Sequence, residues 1–188
     1  MKITINIPDK ALTPKKYSVE QNAEDFCNGI YEFSVSSNQW IETFVYLSEH
    51  VGELDFDTEK IHLLWTVNGG HLRRKIKNDR LIADVLANYL PKYSGPPLIL
   101  YRGECRFLYE DNQLGFCWTP CIEVAEMFAR GLNAIESGGV LLKAEVPSEA
   151  IFTKPNAHST KQMREFEYTC NPALLKKVEV IKWFPKSK

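Results

Sequence analysis

The stretch YSGPPLILYRGE, residues 93–104, divides the chain into two parts of different character. Its glycine and prolines end any regular element that precedes them. The apolar run Leu98–Tyr101 that follows is typical of a buried strand. This strand leads directly into Arg102, and a buried arginine is costly unless an anionic group meets it. The stretch therefore predicts a strand that carries a guanidinium group either to a structural salt bridge or to an anionic ligand.

The residues before this break have helical patterning, from about Ala23 to Leu90. Asp57 is a suitable N-cap for one helix, which the segment Asn68-Gly69-Gly70 would end. Asn78 is a suitable N-cap for the next helix. The apolar residues that recur at helical spacing are Trp40, Ile41, Phe44, Val45, Leu47, Ile61, Leu64, Trp65, Leu81, Ile82, Val85, Leu86, Tyr89 and Leu90.

After the break, strand patterns dominate. The predicted strands lie at about 98–103, 140–146, 149–153, 165–170 and 177–184. One amphipathic helix, from Pro120 to about Leu132, lies among them, and alternation at Ile3, Ile5 and Ile7 predicts a further short strand. Helices followed by strands indicate an α+β fold. We expect a mainly helical region at 1–93 and a β-rich core at 98–188, packed as one compact unit.

The totals indicate an ordinary soluble protein. The chain has 188 residues, of which 44% are hydrophobic and 25% are charged, with a net charge of -1. This charge creates no overall field that would favour nucleic acid or a membrane surface. No apolar run approaches the ~18 residues of a membrane-spanning helix. Five cysteines without a CxxC pair, and no recognisable secretory signal, favour free thiols and a cytoplasmic location.

Thr119 and Pro120 have the pattern of an N-cap followed by a first-turn proline. A helix that begins there would present its positive end to an anion, and Trp118 could form an apolar wall for a flat ring. Equally, Thr119 could only cap the helix and Trp118 could only pack in the core, without a role in binding. Phe128 is expected on the core-facing side of this helix, and we also count it among the residues that could line a cofactor cleft.

Glu165 and Glu167 lie two positions apart in the predicted strand at 165–170. On a strand they would share one face, about 6–7 Å apart. Such a pair is commonly part of a solvated edge. If it faced a cleft instead, burial and mutual repulsion would raise one pKa and equip the pair for hydrogen bonding and base chemistry.

Together and in this order, these elements resemble the ADP-ribosyltransferase superfamily, in its arginine–serine–glutamate branch of phage and bacterial proteins. The resemblance covers residues 98–184, about half of the chain. The matching elements are Tyr101-Arg102-Gly103, Cys117-Trp118-Thr119 with Ala125 and Phe128-Ala129, Val146-Pro147 with Ala150, and Glu165-Phe166-Glu167. The family fold is a split β-sheet, so an α+β fold of this kind is expected.

The resemblance implies a co-substrate and a role for each residue. Arg102 would hold the phosphate and ribose side of NAD⁺, and Thr119 would act near the nicotinamide ribose. Glu167 would bind a ribose hydroxyl and stabilise the positive charge that develops as nicotinamide leaves. Glu165 would orient or deprotonate the acceptor. Gly103 and Trp118 would line the NAD⁺ cleft, and no metal is expected.

One position departs from the family pattern. Cys117 stands where the family usually has serine, and a thiol is a weaker hydrogen-bond donor than a hydroxyl. A rival interpretation makes Cys117 a nucleophile with a histidine as base. The candidate bases are His50, His62, His71 and His158.

The acceptor of the ADP-ribose stays open between a protein side chain and an RNA base. Two basic segments, residues 154–164 and 71–77, could seat RNA, or could be solvated surface. By resemblance the protein would be a bacterial or phage toxin or effector. One such setting is the toxin of a phage-defence toxin–antitoxin system that modifies mRNA, with an antitoxin as partner. The helical region could be a lid, a target-docking surface or an antitoxin-binding surface. The alternatives are a catalytically inactive binding module of the same fold and an NAD⁺ glycohydrolase.

Overall fold

The computed structural model describes residues 18–187. Four helices come first: α1 (Val19–Cys27), α2 (Ser37–Glu49), α3 (Thr58–Ile76) and α4 (Asp79–Tyr89). The elements that follow are β1 (Leu98–Cys105), α5 (Arg106–Glu110), β2 (Cys117–Trp118), α6 (Ile122–Arg130), β3 (Gly139–Val146), β4 (Ile151–Thr153), β5 (Tyr168–Cys170) and β6 (Lys176–Phe184). A π-helical turn, His158–Met163, precedes β5. None of the described helices is long and apolar enough to cross a bilayer.

The strands form two small antiparallel sheets, in the orders β1-β3-β6 and β2-β5-β4. A pair of backbone hydrogen bonds between Tyr101 and Thr119 links β1 to the end of β2, with N···O distances of 2.7 and 2.9 Å. The predicted α+β class is therefore confirmed. Because of the link between the sheets, the end of β2 lies beside the part of β1 that carries Arg102.

The four amino-terminal helices enclose a core of their own. Its largest side chains include Phe26, Trp40, Phe44, Trp65 and Leu86, and Phe116 from the β-rich part packs against it. Complete burial of such side chains stabilises the fold by roughly 1.5–3 kcal/mol each. The two predicted N-caps are confirmed: Asp57 accepts hydrogen bonds from the amides of Glu59 and Lys60, and Asn78 accepts one from Leu81.

The prediction that Asn68-Gly69-Gly70 would end a helix is wrong, because α3 continues to Ile76. Gly69 lies against the indole of Trp65, where a Cβ would come within 2.9 Å of Cε2. Glycine is needed there for packing, and the burial of Leu72 and Ile76 offsets its cost of about 1 kcal/mol in a helix.

Helix α6 lies close against β1 and β3 at two glycines. A Cβ at Gly103 would overlap the backbone of Ala125 and Ala129, and a Cβ at Gly139 would overlap the carbonyl of Ala129. The missing side chain of Gly103 therefore makes room for α6. The small residues at these four positions bring the helix near the end of β1.

Three other predicted boundaries need correction. The helix expected from Pro120 begins at Ile122, and its N-cap is Cys121 instead of Thr119. The strand expected at 149–153 begins at Ile151, after a short 3₁₀ turn. The strand expected at 165–170 begins only at Tyr168. The predicted strand at Ile3–Ile7 lies outside the described residues.

Candidate active site

A cleft of about 210 Å³ opens where β1, β2 and α6 meet the segment that precedes β5. All of the residues proposed from the sequence line it: Arg102, Gly103, Trp118, Thr119, Phe128, Glu165 and Glu167. They come from separate parts of the chain, and the bridge between Tyr101 and Thr119 and the antiparallel pairing of β2 with β5 bring them together. Phe128, expected first as a core residue, is only partly buried and forms part of the cleft wall.

Arg102 is held by a dense set of interactions. Its Nε donates to Oε2 of Glu104 at 2.6 Å, and its Nη1 donates to the carbonyl oxygen of Cys117 at 2.6 Å. The Arg102 side chain is 17% exposed and that of Glu104 only 1%. Among the described residues, none accepts a hydrogen bond from Nη2. The structural salt bridge predicted for Arg102 is thus present, and it fixes the guanidinium of a residue that lines the cleft.

Glu104 and Gly115 complete the support of Arg102. The carboxylate of Glu104 also accepts from the amides of Cys105, at 3.0 Å, and Gly115, at 2.9 Å. Gly115 lies so close to the guanidinium that a Cβ would overlap Nη2. Since Glu104 is two residues after Arg102 on the same strand, the alternation of strand faces was a signal that could have identified it.

Glu167 carries an unpaired buried oxygen. Its Oε1 is inaccessible and has no hydrogen-bond partner in residues 18–187. Burial, with a smaller contribution from Glu165, raises the pKa of Glu167 from its ordinary value of 4.5 to about 7, against the opposing effects of the Cys117 thiol and Arg102. An unpartnered buried carboxyl oxygen is energetically unfavourable, and carboxyl groups with a strongly shifted pKa cluster at functional sites.

The two glutamates reach the cleft by a turn, and not along a strand as predicted. Phe166 between them has a left-handed backbone, with φ of 51°, and Arg164 has φ of 57°. The Phe166 side chain is 41% exposed. Burial raises the pKa of Glu165, and His158 opposes this shift. The turn therefore brings both carboxyl groups to one cleft while it directs Phe166 towards solvent.

Trp118 and Thr119 are fixed by local contacts. The Trp118 indole is buried and donates from Nε1 to the carbonyl of Gly115 at 2.9 Å. The hydroxyl of Thr119 accepts a hydrogen bond from the Cys121 amide at 3.2 Å. Thr119 thus stabilises the entry to α6 from two residues upstream, and it still lines the cleft.

The geometry gives no support to Cys117 as a nucleophile. Burial and the proximity of Glu167 raise the pKa of Cys117 well above its ordinary value, so the thiol stays protonated at neutral pH. No histidine lines the described cleft. His62 is buried on α3, where desolvation lowers its pKa to about 4. The other three histidines hydrogen-bond outside the cleft: His50 to the carbonyl of Tyr46, His71 to Arg74 and His158 to Gln162.

The basic run at 71–77 is largely structural. Arg73 donates to both carboxylate oxygens of Asp79, at 2.8 and 2.6 Å, and to the carbonyls of Gln113 and Leu114. Lys75 donates to the carbonyls of Phe33 and Val35, at 2.7 and 2.6 Å. These cations are therefore committed to packing. In the other segment, the cationic side chains of Lys154, Lys161 and Arg164 are exposed.

Four residues beside the cleft were missed by sequence reasoning. They are Glu104, Gly115, Asn133 and Ser159. Asn133 lines the cleft and donates from Nδ2 to the carbonyl of Gly103 at 2.7 Å. Ser159 hydrogen-bonds to the turn that carries the glutamates. Apart from Glu104, each acts through a contact that is distant in sequence or depends on a turn, so no local pattern indicates it.

Comparisons of the chain with protein-family models, with curated proteins and with solved structures find no match. Functional inference therefore depends on the sequence motifs and on the geometry of this cleft. Within residues 18–187, no three His, Cys, Asp or Glu side chains are grouped as ligands for a metal ion.

Proposed function

We propose that the protein is a mono-ADP-ribosyltransferase that takes ADP-ribose from NAD⁺ and attaches it to a macromolecular acceptor. One observation carries the proposal. Arg102, Thr119 and Glu167, which the motif resemblance selects from three distant segments, line a single cleft, and Glu167 has a buried oxygen without a partner. A fold of the ADP-ribosyltransferase type, with its split sheet, is part of the same proposal.

The cleft suits one half of a dinucleotide. Pockets that enclose a whole drug-sized ligand measure roughly 300–1,000 Å³, so a cleft of about 210 Å³ would take the nicotinamide and its ribose. Glu167 lines the cleft, and its carboxyl group would accept a hydrogen bond from a ribose hydroxyl. Arg102 also lines the cleft, and its guanidinium would donate to a phosphate or hydroxyl oxygen. The rings of Trp118 and Phe128 offer apolar walls for a flat heterocycle.

The proposed reaction replaces one glycosidic bond by another. The bond from the ribose anomeric carbon to the nicotinamide nitrogen breaks, and its electron pair goes to the nitrogen, which becomes neutral. The ribose passes through an oxocarbenium-like transition state, whose positive charge the ionised Glu167 stabilises. The acceptor forms the new bond to the anomeric carbon and loses a proton to Glu165 or to solvent. The products are the ADP-ribosylated acceptor, nicotinamide and a proton.

Two observations favour the alternative of a binding module without catalysis. Arg102 is engaged by Glu104 inside the protein, and Cys117 occupies the position where serine is usual. The stronger argument for catalysis is that Glu165 and Glu167 both line the cleft and that burial raises the pKa of each. Hydrolysis of NAD⁺, with water as acceptor, would use the same residues and differs only in its product.

The acceptor and the biological setting belong to the same proposal. The exposed Lys154, Lys161 and Arg164 lie in the segment that leads to the glutamate turn, and they would attract an anionic acceptor such as RNA. A protein acceptor is equally compatible with Glu165 as base. We also propose that the protein acts in the cytoplasm as the toxin of a phage-defence system and that an antitoxin is its partner.

The test uses NAD⁺ labelled in its adenosine part and a cell lysate separated into protein and RNA. Wild-type protein should place label in one of the two fractions, and Glu167→Gln should abolish it. Glu42→Gln, on the exposed face of α2, is the matched control and should label as wild type does. Free ADP-ribose without labelled macromolecule would identify a glycohydrolase. Binding of NAD⁺ without cleavage would instead support the alternative of a binding module without catalysis.

A further inference from the structure

Ser159 holds the backbone of the turn that carries both glutamates. Its carbonyl oxygen accepts hydrogen bonds from the amides of Glu165, at 2.8 Å, and Phe166, at 3.4 Å. Its hydroxyl accepts from the amide of Glu167 at 2.8 Å. The side chain is 1% exposed, so water does not compete for these bonds. One buried serine therefore fixes three successive amides.

Ser159 is in turn held by helix α3, across the boundary between the helical and the β-rich parts. The amide of Ser159 donates to Oδ1 of Asn156 at 2.9 Å. Nδ2 of Asn156 donates to the hydroxyl of Thr66 at 2.9 Å, and this hydroxyl donates to the carbonyl of His62 one turn earlier in α3. A continuous hydrogen-bonded path thus runs from α3 to the backbone of Glu167.

The glutamate turn needs this support because its backbone is strained. Arg164 and Phe166 both have left-handed φ values, which a side chain with a Cβ adopts only where contacts enforce them. Released from Ser159, the turn would relax towards ordinary φ values and move both carboxyl groups. The hydrogen bonds from Ser159 are the contacts that restrain the amides on either side of Phe166.

We propose that Thr66, Asn156 and Ser159 are positioning residues, through which the helical region sets the place of Glu165 and Glu167 in the cleft. This inference rests on the proposed function only for its catalytic consequence. It assigns the helical region a role other than lid or docking surface: it is a structural part of the catalytic site. None of the three residues lines the cleft, so none is expected to contact NAD⁺.

Amide hydrogen exchange tests the path without any reference to activity. Thr66→Val removes the hydroxyl at nearly constant volume, and Thr66→Ser keeps it as the matched control. In Thr66→Val, exchange at the amides of Glu165 and Glu167 should accelerate on the order of tenfold, while Thr66→Ser should exchange as wild type does. Amides in β3, distant from the path, exchange through global unfolding, so any acceleration there in Thr66→Val measures the global stability lost with the hydrogen bond from Asn156, while Thr66→Ser should leave them unchanged.

Ser159→Ala separates the two kinds of contact. It removes the hydroxyl and keeps the carbonyl, so exchange should accelerate at Glu167 and change little at Glu165. If the amides of Glu165 and Glu167 exchanged at the same rate in Thr66→Val and Thr66→Ser, the proposed role of the hydrogen-bonded path from α3 would be overturned. Unchanged exchange at Glu167 in Ser159→Ala would overturn the role of Ser159.

Kinetics then test the catalytic consequence. With NAD⁺ as substrate, Thr66→Val should lower kcat about tenfold while KM changes less than threefold, because a displaced carboxylate costs transition-state stabilisation. Thr66→Ser should restore kcat. If Thr66→Val changed only KM, the positioning role would be wrong. If wild type does not cleave NAD⁺ at all, the proposed function fails, and the exchange measurements still decide the positioning inference.

Discussion

Gly115 lies directly against the guanidinium of Arg102, so that a single methyl group at position 115 would overlap Nη2. The amide of Gly115 also donates to Glu104, which pairs with the same guanidinium. The place of the arginine is therefore determined jointly by a charge partner and by the absence of a side chain in the neighbouring loop.

Gly115→Ala should displace Arg102 and weaken NAD⁺ binding at least tenfold, with a loss of stability of about 1–3 kcal/mol from overpacking. Calorimetric titration with NAD⁺ and denaturant unfolding measure the two effects. Gly70→Ala is the matched control, since space is open beside Gly70 on α3. It should stabilise the protein by about 0.5–1 kcal/mol through helix propensity and leave NAD⁺ binding unchanged. Equal NAD⁺ affinity in the two variants would contradict the role of Gly115.

Glu104→Ala should destabilise the protein by about 3–5 kcal/mol, because it leaves a buried guanidinium without its charge partner. The exposed ion pair between Lys182 and Glu126, with an N···O distance of 2.8 Å, provides the comparison. Glu126→Ala should cost less than about 1 kcal/mol. Denaturant unfolding of the two variants measures the difference, and similar losses would show that burial does not distinguish the pairs. Glu104→Gln, which keeps one acceptor, is the milder variant if the alanine variant does not fold.

Glu167→Gln should be more stable than wild type at pH 8. The pKa of Glu167 is raised from 4.5 to about 7 by burial, so the folded protein binds more protons than the unfolded chain between these pH values. Stability contributed by this group therefore falls as pH rises from about 4.5 to 7. The gain in the variant should be on the order of 2–3 kcal/mol at pH 8 and should vanish near pH 4.

Thermal or denaturant unfolding across this pH range measures the effect. Glu42→Gln, which alters an exposed carboxylate, should follow the wild-type curve throughout. A Glu167→Gln variant less stable than wild type at pH 8 would show that the carboxylate is stabilised, and not destabilised, in the fold.

Catalytic efficiency should rise with pH through about 7. Stabilisation of positive charge requires the ionised form of Glu167, whose pKa burial raises to about 7 in the free protein. The ratio kcat/KM for NAD⁺ reports the free enzyme, so it should increase about tenfold for each pH unit below 7 and level off above it. A rate that fell between pH 6 and 8 would contradict this role, since it would require the protonated carboxyl.

Motif order in the sequence was sufficient to select seven residues that line the cleft, and polar caps were sufficient to locate two helix starts. Asp57 and Asn78 act through contacts within three residues, which a sequence displays directly. The strand at 98–103 was predicted from its apolar run, and β1 covers these residues. In each of these cases the cause is local, and local causes can be read from composition and spacing.

The failures have causes that lie far apart in the chain. The segment that contains Gly69 is predicted to end a helix, but Gly69 is glycine because Trp65 occupies the space of a side chain. The glutamate pair was assigned to a strand, because alternation alone does not reveal that Phe166 has a left-handed backbone. That conformation depends on Ser159 and, through Asn156, on α3. Packing and hydrogen bonds between distant segments decide these features.

Release of nicotinamide from NAD⁺ by purified protein, with and without added lysate, tests the central claim most directly. We predict release by wild type and by Glu42→Gln, and a rate at least a hundredfold lower for Glu167→Gln, whose thermal unfolding midpoint should still rise on addition of NAD⁺. That combination would place Glu167 in the chemical step. Release by Glu167→Gln at the wild-type rate, or no release by wild type with any lysate, would contradict the account.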